Sequence, residues 1–250
     1  MSDPILLRQT DAAVARLTLN DPGRANVLSA AMMAQLAQAL ADFAGDPAVH
    51  VIVLAANGRI FCAGHDLAEL RDADADRHAA LFAQCAALMQ QIVNSPKPVI
   101  ARVQGAAVAA GCQLVASCDL AYAADTAKFA VSGINLGLFC STPGVALARA
   151  VGRKAALEML LTGRLVPAPE AAAMGLINRC VPASELDATV DDAAQAIAAK
   201  APDAIALGKR VFGRQAELPL AEAYGVASAG MVENLGLACA REGIAGFLKG

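Results

Sequence analysis

Lys97–Asp119, KPVIARVQGAAVAAGCQLVASCD, is the stretch whose reading decides the fold. Val99, Ile100 and Val103 are β-formers, and Pro96 and Pro98 favour an extended entry, so a short strand is expected here. After Gln104 the side chains turn small, Gly105-Ala106-Ala107-Val108-Ala109-Ala110-Gly111, and a helix is expected to start near Ala110. The first turn of a helix presents unpaired N–H groups, which suit a developing negative charge. Small residues at such a turn have two explanations. They admit a ligand to the backbone, or they let the helix pack tightly on a sheet.

A second loop, Gly58–Leu67 or GRIFCAGHDL, follows the apolar run Val49–Ala56, which reads as another strand. Two strand-to-loop exits of this kind can aim two backbone donors at one oxygen. FCAGHDL followed by KPVIARVQGAAVAAGCQLVASCDL resembles the enoyl-CoA hydratase/isomerase (crotonase) superfamily over nearly the whole chain. The later stretch FAVSGINLGLFCSTPGVALAR resembles its enoyl-CoA hydratase domain-containing subgroup.

The resemblance implies an α/β fold, the crotonase (ClpP-like) spiral of β-β-α units, with a helical C-terminal trimerisation region. Residues 1–195 would form the spiral core and 196–250 a helical oligomerisation and lid region. Periodicity alone points instead to a doubly wound sheet, because no clean internal repeat is visible. The implied partner is an acyl-CoA thioester, with coenzyme A arriving as part of the substrate and no separately bound cofactor. The implied assembly is a homo-trimer or a dimer of trimers.

By motif position the resemblance assigns the two oxyanion-hole donors to the backbone N–H groups of His65 and Ala110. The coenzyme would lie along Arg24, Ala25, Ala63, Gly64, Asp66 and Leu67, with Gly111 beside it and Arg24 as the phosphate contact. Asp66 and Asp119 are expected to be structural, and Phe247 and Lys249 to reach a nucleotide on a neighbouring subunit. The His65 ring is open to two readings, an acid–base group or a space filler. Filling is preferred, because no carboxylate partner is placed for the ring.

Two departures bear on the chemistry. Hydratases of the family hold and deprotonate water with two glutamates, whereas Gln113 and Gly133 stand at those positions. A carboxamide exchanges no proton near pH 7 and glycine offers nothing, so hydration by the usual route is expected to be severely impaired. Asn135, Cys140, Ser141 and Thr142 are nearby polar substitutes, with Cys140 expected to be a buried apolar cysteine. Thioester hydrolysis, decarboxylation or another enolate route fits an oxyanion hole without paired glutamates. A non-catalytic acyl-CoA-binding or regulatory protein is the alternative. A dinucleotide-binding oxidoreductase is disfavoured, since Gly105 and Gly111 do not make a GxGxxG spacing.

Composition agrees with a small-molecule or protein partner. The 250 residues are 57% hydrophobic, ample for a core, and the net charge of −3 comes from 20 basic and 23 acidic residues without a basic run. Nucleic acid and anionic membrane are therefore not indicated, and two tyrosines with no tryptophan give bases little to stack on. Seven cysteines without CxxC spacing and three scattered histidines predict no metal site. MSDPILLRQTD shows no basic region followed by a long apolar segment, so a soluble cytoplasmic protein is expected.

Elsewhere, strands are expected at 5–7 and 14–19, and a helix after Ser29 with Met33, Leu36, Leu40 and Phe43 on its apolar face. RDADADR, 71–77, reads as a solvated mobile connection before a helix over 78–93, and the acyl group is expected to be read by a pocket running from Leu70 through it. Further strands are expected at 119–122 and 129–131, and a turn-rich loop at 137–144. The helices expected after that span 155–161, 168–174, 184–200, 202–212 and a long 220–239.

Overall fold

The first half of the chain alternates pairs of strands with helices in a computed structural model that describes residues 3–249. Met1, Ser2 and Gly250, the ends of the two expected domain ranges, lie outside the described residues. β1 (Leu6–Asp11) and β2 (Val14–Leu19) form a hairpin, followed by α1 (Ala30–Gly45), β3 (Val51–Ala56), β4 (Ile60–Cys62), α2 (Leu67–Arg71) and α3 (Ala75–Asn94). Next come β5 (Val99–Val103), β6 (Ala106–Val108), α4 (Ala110–Ser117), β7 (Leu120–Ala124), β8 (Lys128–Ala130), a 3-10 turn (Ser132–Leu136) and α5 (Ser141–Ala150). The remainder is α6 (Arg153–Thr162), β9 (Val166–Pro167), α7 (Ala168–Ala173), β10 (Arg179–Val181), α8 (Leu186–Ala198), α9 (Pro202–Gln215), α10 (Leu220–Leu235) and α11 (Ala238–Phe247).

A six-stranded sheet runs β1-β2-β3-β5-β7-β10 and a four-stranded one runs β4-β6-β8-β9. Consecutive pairs therefore place one strand in each sheet: β3 and β4, then β5 and β6, then β7 and β8. The pairings among β3, β5 and β7, and among β4, β6 and β8, are parallel. This stepwise advance is the crotonase spiral, and it displaces the doubly wound sheet that periodicity alone suggested. The repeat is hidden in the sequence because the second sheet is built from strands of two or three residues. Such strands are too short to show alternation.

β3, VIVLAA, is buried at every position, as a central parallel strand covered on both faces must be. Ile52 and Leu54 face the main core, while Val51 and Val53 pack with Leu186, Val190 and Ala194 of α8. Ser29 caps α1 as expected, its side chain accepting from Met32 N at 3.2 Å, and Met33, Leu36, Leu40 and Phe43 are buried.

Three expectations about local structure are corrected. RDADADR is not a single loose connection, for Arg71 ends α2 and the Asp74 side chain accepts from Arg77 N to cap α3, which starts at Ala75. An aspartate run supplies an N-cap and first-turn acids, which a helix dipole favours. The long helix over 220–239 is broken. Gly236 ends α10, its N–H bonding to Val232 O and Glu233 O, and extended Leu237 starts α11. The turn-rich segment 137–144 is helical from Ser141.

Candidate functional site

The loop after β4 and the start of α4 are held together by glycines whose side-chain space is already occupied. A Cβ on Gly105 would lie 1.9 Å from Arg59 O, and one on Gly111 would lie 2.2 Å from Cys62 O. Tight packing is thus what these two glycines provide, and Gly111 faces the Cys62 carbonyl rather than open space. Gly64 is constrained twice. Its φ is +94°, and a Cβ there would meet Ala109 Cβ at 2.9 Å, Val108 O at 3.0 Å and Ala110 N at 3.2 Å. Any side chain on the residue before His65 would therefore run into Ala109 and the backbone amide of Ala110.

Ala110 opens α4, where an N–H has no partner within the helix. Neither His65 N–H nor Ala110 N–H is given to a protein acceptor among the loop, turn and cap hydrogen bonds of the described residues. Ala109 precedes them with φ 50° and ψ −118°, a conformation costly for any residue with a Cβ. Its own N–H is fixed on Ala130 O at 2.8 Å, so the strain is held by β8.

The FCAGHDL loop is also sewn to the chain at 21–28. Ala63 N donates to Ala25 O at 3.1 Å and Leu28 N to Gly64 O at 2.8 Å. Arg24 pairs with Asp66, and Asp66 also caps α2 by accepting from Ala68 N at 3.0 Å. With Asp21 3.7 Å from Arg24, the guanidinium sits between two acids, while Leu67 stands exposed at the start of α2. Arg24, Ala25, Ala63, Gly64 and Asp66 are thus brought together.

Asn26 was missed in the sequence and holds this junction. It is fully buried, donates to Asn57 O and Ile60 O, both at 2.8 Å, and accepts from Asp21 N. The available signal was an asparagine soon after Asp-Pro-Gly, because Asn tolerates the left-handed conformation that Ala25 and Asn26 adopt here.

The His65 ring packs away from a proton-transfer role. Nδ1 lies 3.4 Å from Leu28 O, the ring meets Phe82 edge-on at 5.5 Å, and Nε2 is sealed without a partner. Burial lowers its pKa, more than the Leu28 carbonyl and Glu69 raise it, so the ring is neutral at pH 7. A cleft of about 540 Å³ opens between α2, α3 and the start of α1, lined among others by Asp66, Glu69, His78, Leu81 and Gln84. Residues 70–77, expected to read the acyl group, border this cleft in part.

Gln113 is buried on α4, with Oε1 3.9 Å from the Cys85 thiol. Gly133 lies in the 3-10 turn and gives its N–H to Cys140 Sγ at 3.3 Å. A Cβ on Gly133 would be 2.5 Å from Leu138 O and 2.8 Å from that sulfur. Burial raises the Cys140 thiol pKa, which keeps it protonated and unreactive. Asn135 is directed to Gly163 O at 3.5 Å and Ser141 Oγ to Phe139 O. Asp119 accepts from Val99 N at 2.7 Å and also pairs with Lys209, a contact between α9 and the core that the sequence did not suggest. Among the described residues no cluster of His, Cys, Asp or Glu could hold a metal, and no helix is long and apolar enough to cross a membrane.

A two-sheet β-β-α spiral in which the loop after β4 packs against the start of α4 defines a class, the crotonase fold. The chain matches the enoyl-CoA hydratase/isomerase family over residues 9–249 and belongs to that family. It is 46% identical over 247 residues to the human enoyl-CoA hydratase domain-containing protein 3, mitochondrial, covering 98% of this chain and 81% of that one. The crystal structure of the human protein superposes with a TM-score of 0.96 at 44% identity, covering 98% of each chain. An enoyl-CoA hydratase from Mycobacterium smegmatis superposes with a TM-score of 0.97 at 50% identity, covering 99% of this chain and 97% of that one.

Proposed function

We propose that this chain is an acyl-CoA thioester enzyme in which the His65 and Ala110 N–H groups receive the thioester oxygen and stabilise enolate-like charge. The observation that supports this reading is that a Cβ on Gly64, next to His65, would meet Ala110 N, so the two loops pack closely, and that neither amide is given to an acceptor among the loop, turn and cap hydrogen bonds of the described residues. One such donor is worth about 3 kcal/mol of barrier. Arg24, Ala25, Ala63, Gly64, Asp66 and Leu67 would form the edge along which the coenzyme lies, and coenzyme A would enter only as part of the substrate.

Hydration with paired glutamates is not part of this reading. Gln113 moves no proton and Gly133 carries no side chain, which favours routes that need the oxyanion hole alone. The same two residues support the second reading, a non-catalytic acyl-CoA-binding or regulatory protein.

We further infer a trimer or dimer of trimers, with residues 1–195 as core and the helical remainder as its oligomerisation and lid region. Phe212, Leu220, Tyr224, Met231 and Val232 of α9 and α10 are exposed apolar side chains in search of a partner. Phe247 and Lys249 would reach a neighbour's nucleotide. All seven cysteines are free, which suits a reducing compartment, the cytoplasm in our reading, although the vertebrate relatives are named mitochondrial.

The test is calorimetric titration with a panel of acyl-CoAs, followed by mass spectrometry of the same mixtures. Micromolar binding with a hydrolysed or decarboxylated thioester supports the enzyme, and binding with every thioester intact supports the regulatory protein. No binding contradicts both.

A further inference from the structure

Arg102 on β5, Tyr122 on β7 and Arg179 on β10 stand side by side across three neighbouring strands. Their side chains lie on the α8 face of the sheet. Arg102 is neutralised there by Asp187, with Nε donating to Oδ1 at 2.6 Å and Nη2 to Oδ2 at 3.0 Å. Tyr122 packs with Leu186, Val190 and Ala194 in the smaller core. α8 lies over β2, β3, β5 and β7, and beyond it the sheet continues to β10, its last strand on that side. The step leaves an open cleft of about 440 Å³, with Leu120, Tyr122 and Arg179 on its floor and Asp192, Ala193 and Ile197 on its α8 wall. None of its lining residues belongs to the loops around His65 and Ala110.

Tyr122 is only 7% exposed, and its hydroxyl makes no hydrogen bond with any described residue. The unpartnered polar side-chain atoms sealed from solvent among the described residues are His65 Nε2 and Gln104 Oε1, so the Tyr122 hydroxyl reaches the open space of the cleft that Tyr122 lines. A buried tyrosine hydroxyl ordinarily has a partner, and leaving it without one is costly. Arg179 and Asp192 bring opposite charges to the same cleft, and neither forms an ion pair with a described residue, in contrast to Arg16 with Asp191 and Arg102 with Asp187 on the other flank of α8. The Thr189 hydroxyl, also on the α8 wall, is already given to Glu185 O at 2.9 Å. A largely apolar cleft thus holds one free cation, one free anion and one buried hydroxyl.

We propose that this cleft binds a small zwitterion with an apolar body, an aliphatic α-amino acid, whose carboxylate meets Arg179 and the Tyr122 hydroxyl and whose ammonium meets Asp192. A guanidinium grips a carboxylate with two parallel N–H donors. A plain carboxylate would be repelled by Asp192 and a plain amine by Arg179, whereas a zwitterion satisfies both. An α-amino acid carries its two charges on one carbon, which leaves the aliphatic side chain free to lie on Leu120, Ala193 and Ile197. The site is separate from the acyl-CoA reading and does not depend on it.

Fluorine NMR of the full-length protein labelled with 3-fluorotyrosine is the experiment, because the chain has two tyrosines, Tyr122 and Tyr224, and Tyr224→Phe assigns their signals. The ligands are L-leucine, 4-methylpentanoate, which lacks the ammonium, and 3-methylbutylamine, which lacks the carboxylate. L-Leucine should shift the Tyr122 signal saturably and leave that of Tyr224 in place. Each analogue should bind roughly fivefold more weakly, between the worth of an exposed ion pair and that of a charge-assisted hydrogen bond. Arg179→Met should bring leucine and 3-methylbutylamine to equal affinity, and Asp192→Asn should do the same for leucine and 4-methylpentanoate. Both replaced side chains are exposed, so both variants should fold like the wild type. A Tyr122 signal that leucine does not move, analogues that bind as well as leucine, or a leucine advantage that survives the matching substitution overturns the proposal. A changed sedimentation coefficient in Arg179→Met would also overturn it, since a second copy of this chain would then occupy the cleft.

Discussion

Gly133→Glu is the substitution that would return a hydratase glutamate to its family position, and the surrounding loop predicts that it fails. The first side-chain atom would lie 2.5 Å from Leu138 O, a backbone atom, and 2.8 Å from Cys140 Sγ. Both distances are below any real Cβ contact, so the 133–140 turn must shift and the Gly133 N–H bond to sulfur is lost with it. Overpacking of this kind costs about 1–3 kcal/mol, which lowers the melting temperature of a chain this long by roughly 3–10 °C. Thermal melts of Gly133→Glu and of Gly45→Ala, where a Cβ meets nothing within 4 Å, make the comparison. Gly45→Ala should melt at or slightly above the wild type. Gln113→Glu combined with Gly133→Glu should hydrate crotonyl-CoA no better than the wild type. A double variant that melts like the wild type and gains hydratase turnover would refute the packing argument.

Three further outcomes follow from the geometry. Ala109→Gly removes backbone strain at φ 50° and should raise the melting temperature while weakening thioester binding relative to CoA, because Ala110 N–H is held less firmly; a lower melting temperature would contradict this. Lys209→Met leaves Asp119 without its cation and should cost about 1–2 kcal/mol in urea unfolding, between the values for exposed and buried pairs; a neutral effect would mean that α9 is held otherwise. Because burial lowers the pKa of His65 below its ordinary 6.5, the unfolded chain takes up a proton there that the folded ring refuses. This contribution to stability is full above pH 6.5 and is lost as pH falls below it, a slope that His65→Leu should flatten.

The elements that sequence reading found are those with long, clean patterns. Ser29 and the Met33, Leu36, Leu40, Phe43 stripe announced α1, and the apolar run of β3 announced a covered strand. What it could not find depends on contacts between distant residues. The second sheet includes β6, Ala106–Val108, which in the sequence is only a string of small residues and whose placement comes from pairing with Ile60 and Cys62 on one side and Phe129 and Ala130 on the other. Asp74 read as part of a solvated acidic run, and only the N–H of Arg77 shows it to be a cap. At the candidate site the motif positions of His65 and Ala110 were legible through family resemblance. The reasons for Gly64, Gly105 and Gly111 were not, because they lie in a neighbouring carbonyl or side chain reached across the spiral. Gly133 is the sharpest case. In the sequence it is a missing glutamate, and in the structure it is a position that a side chain can take only if the 133–140 turn moves.

On the proposed function, two backbone amides, on His65 and Ala110, polarise a thioester carbonyl. Difference infrared spectroscopy of a bound acyl-CoA carrying carbon-13 at the thioester carbonyl reads that bond directly. The carbonyl stretch is expected to move to lower wavenumber on binding, as two hydrogen bonds weaken the double bond. A bound thioester whose stretch stays at its position in free solution, or moves higher, would contradict it.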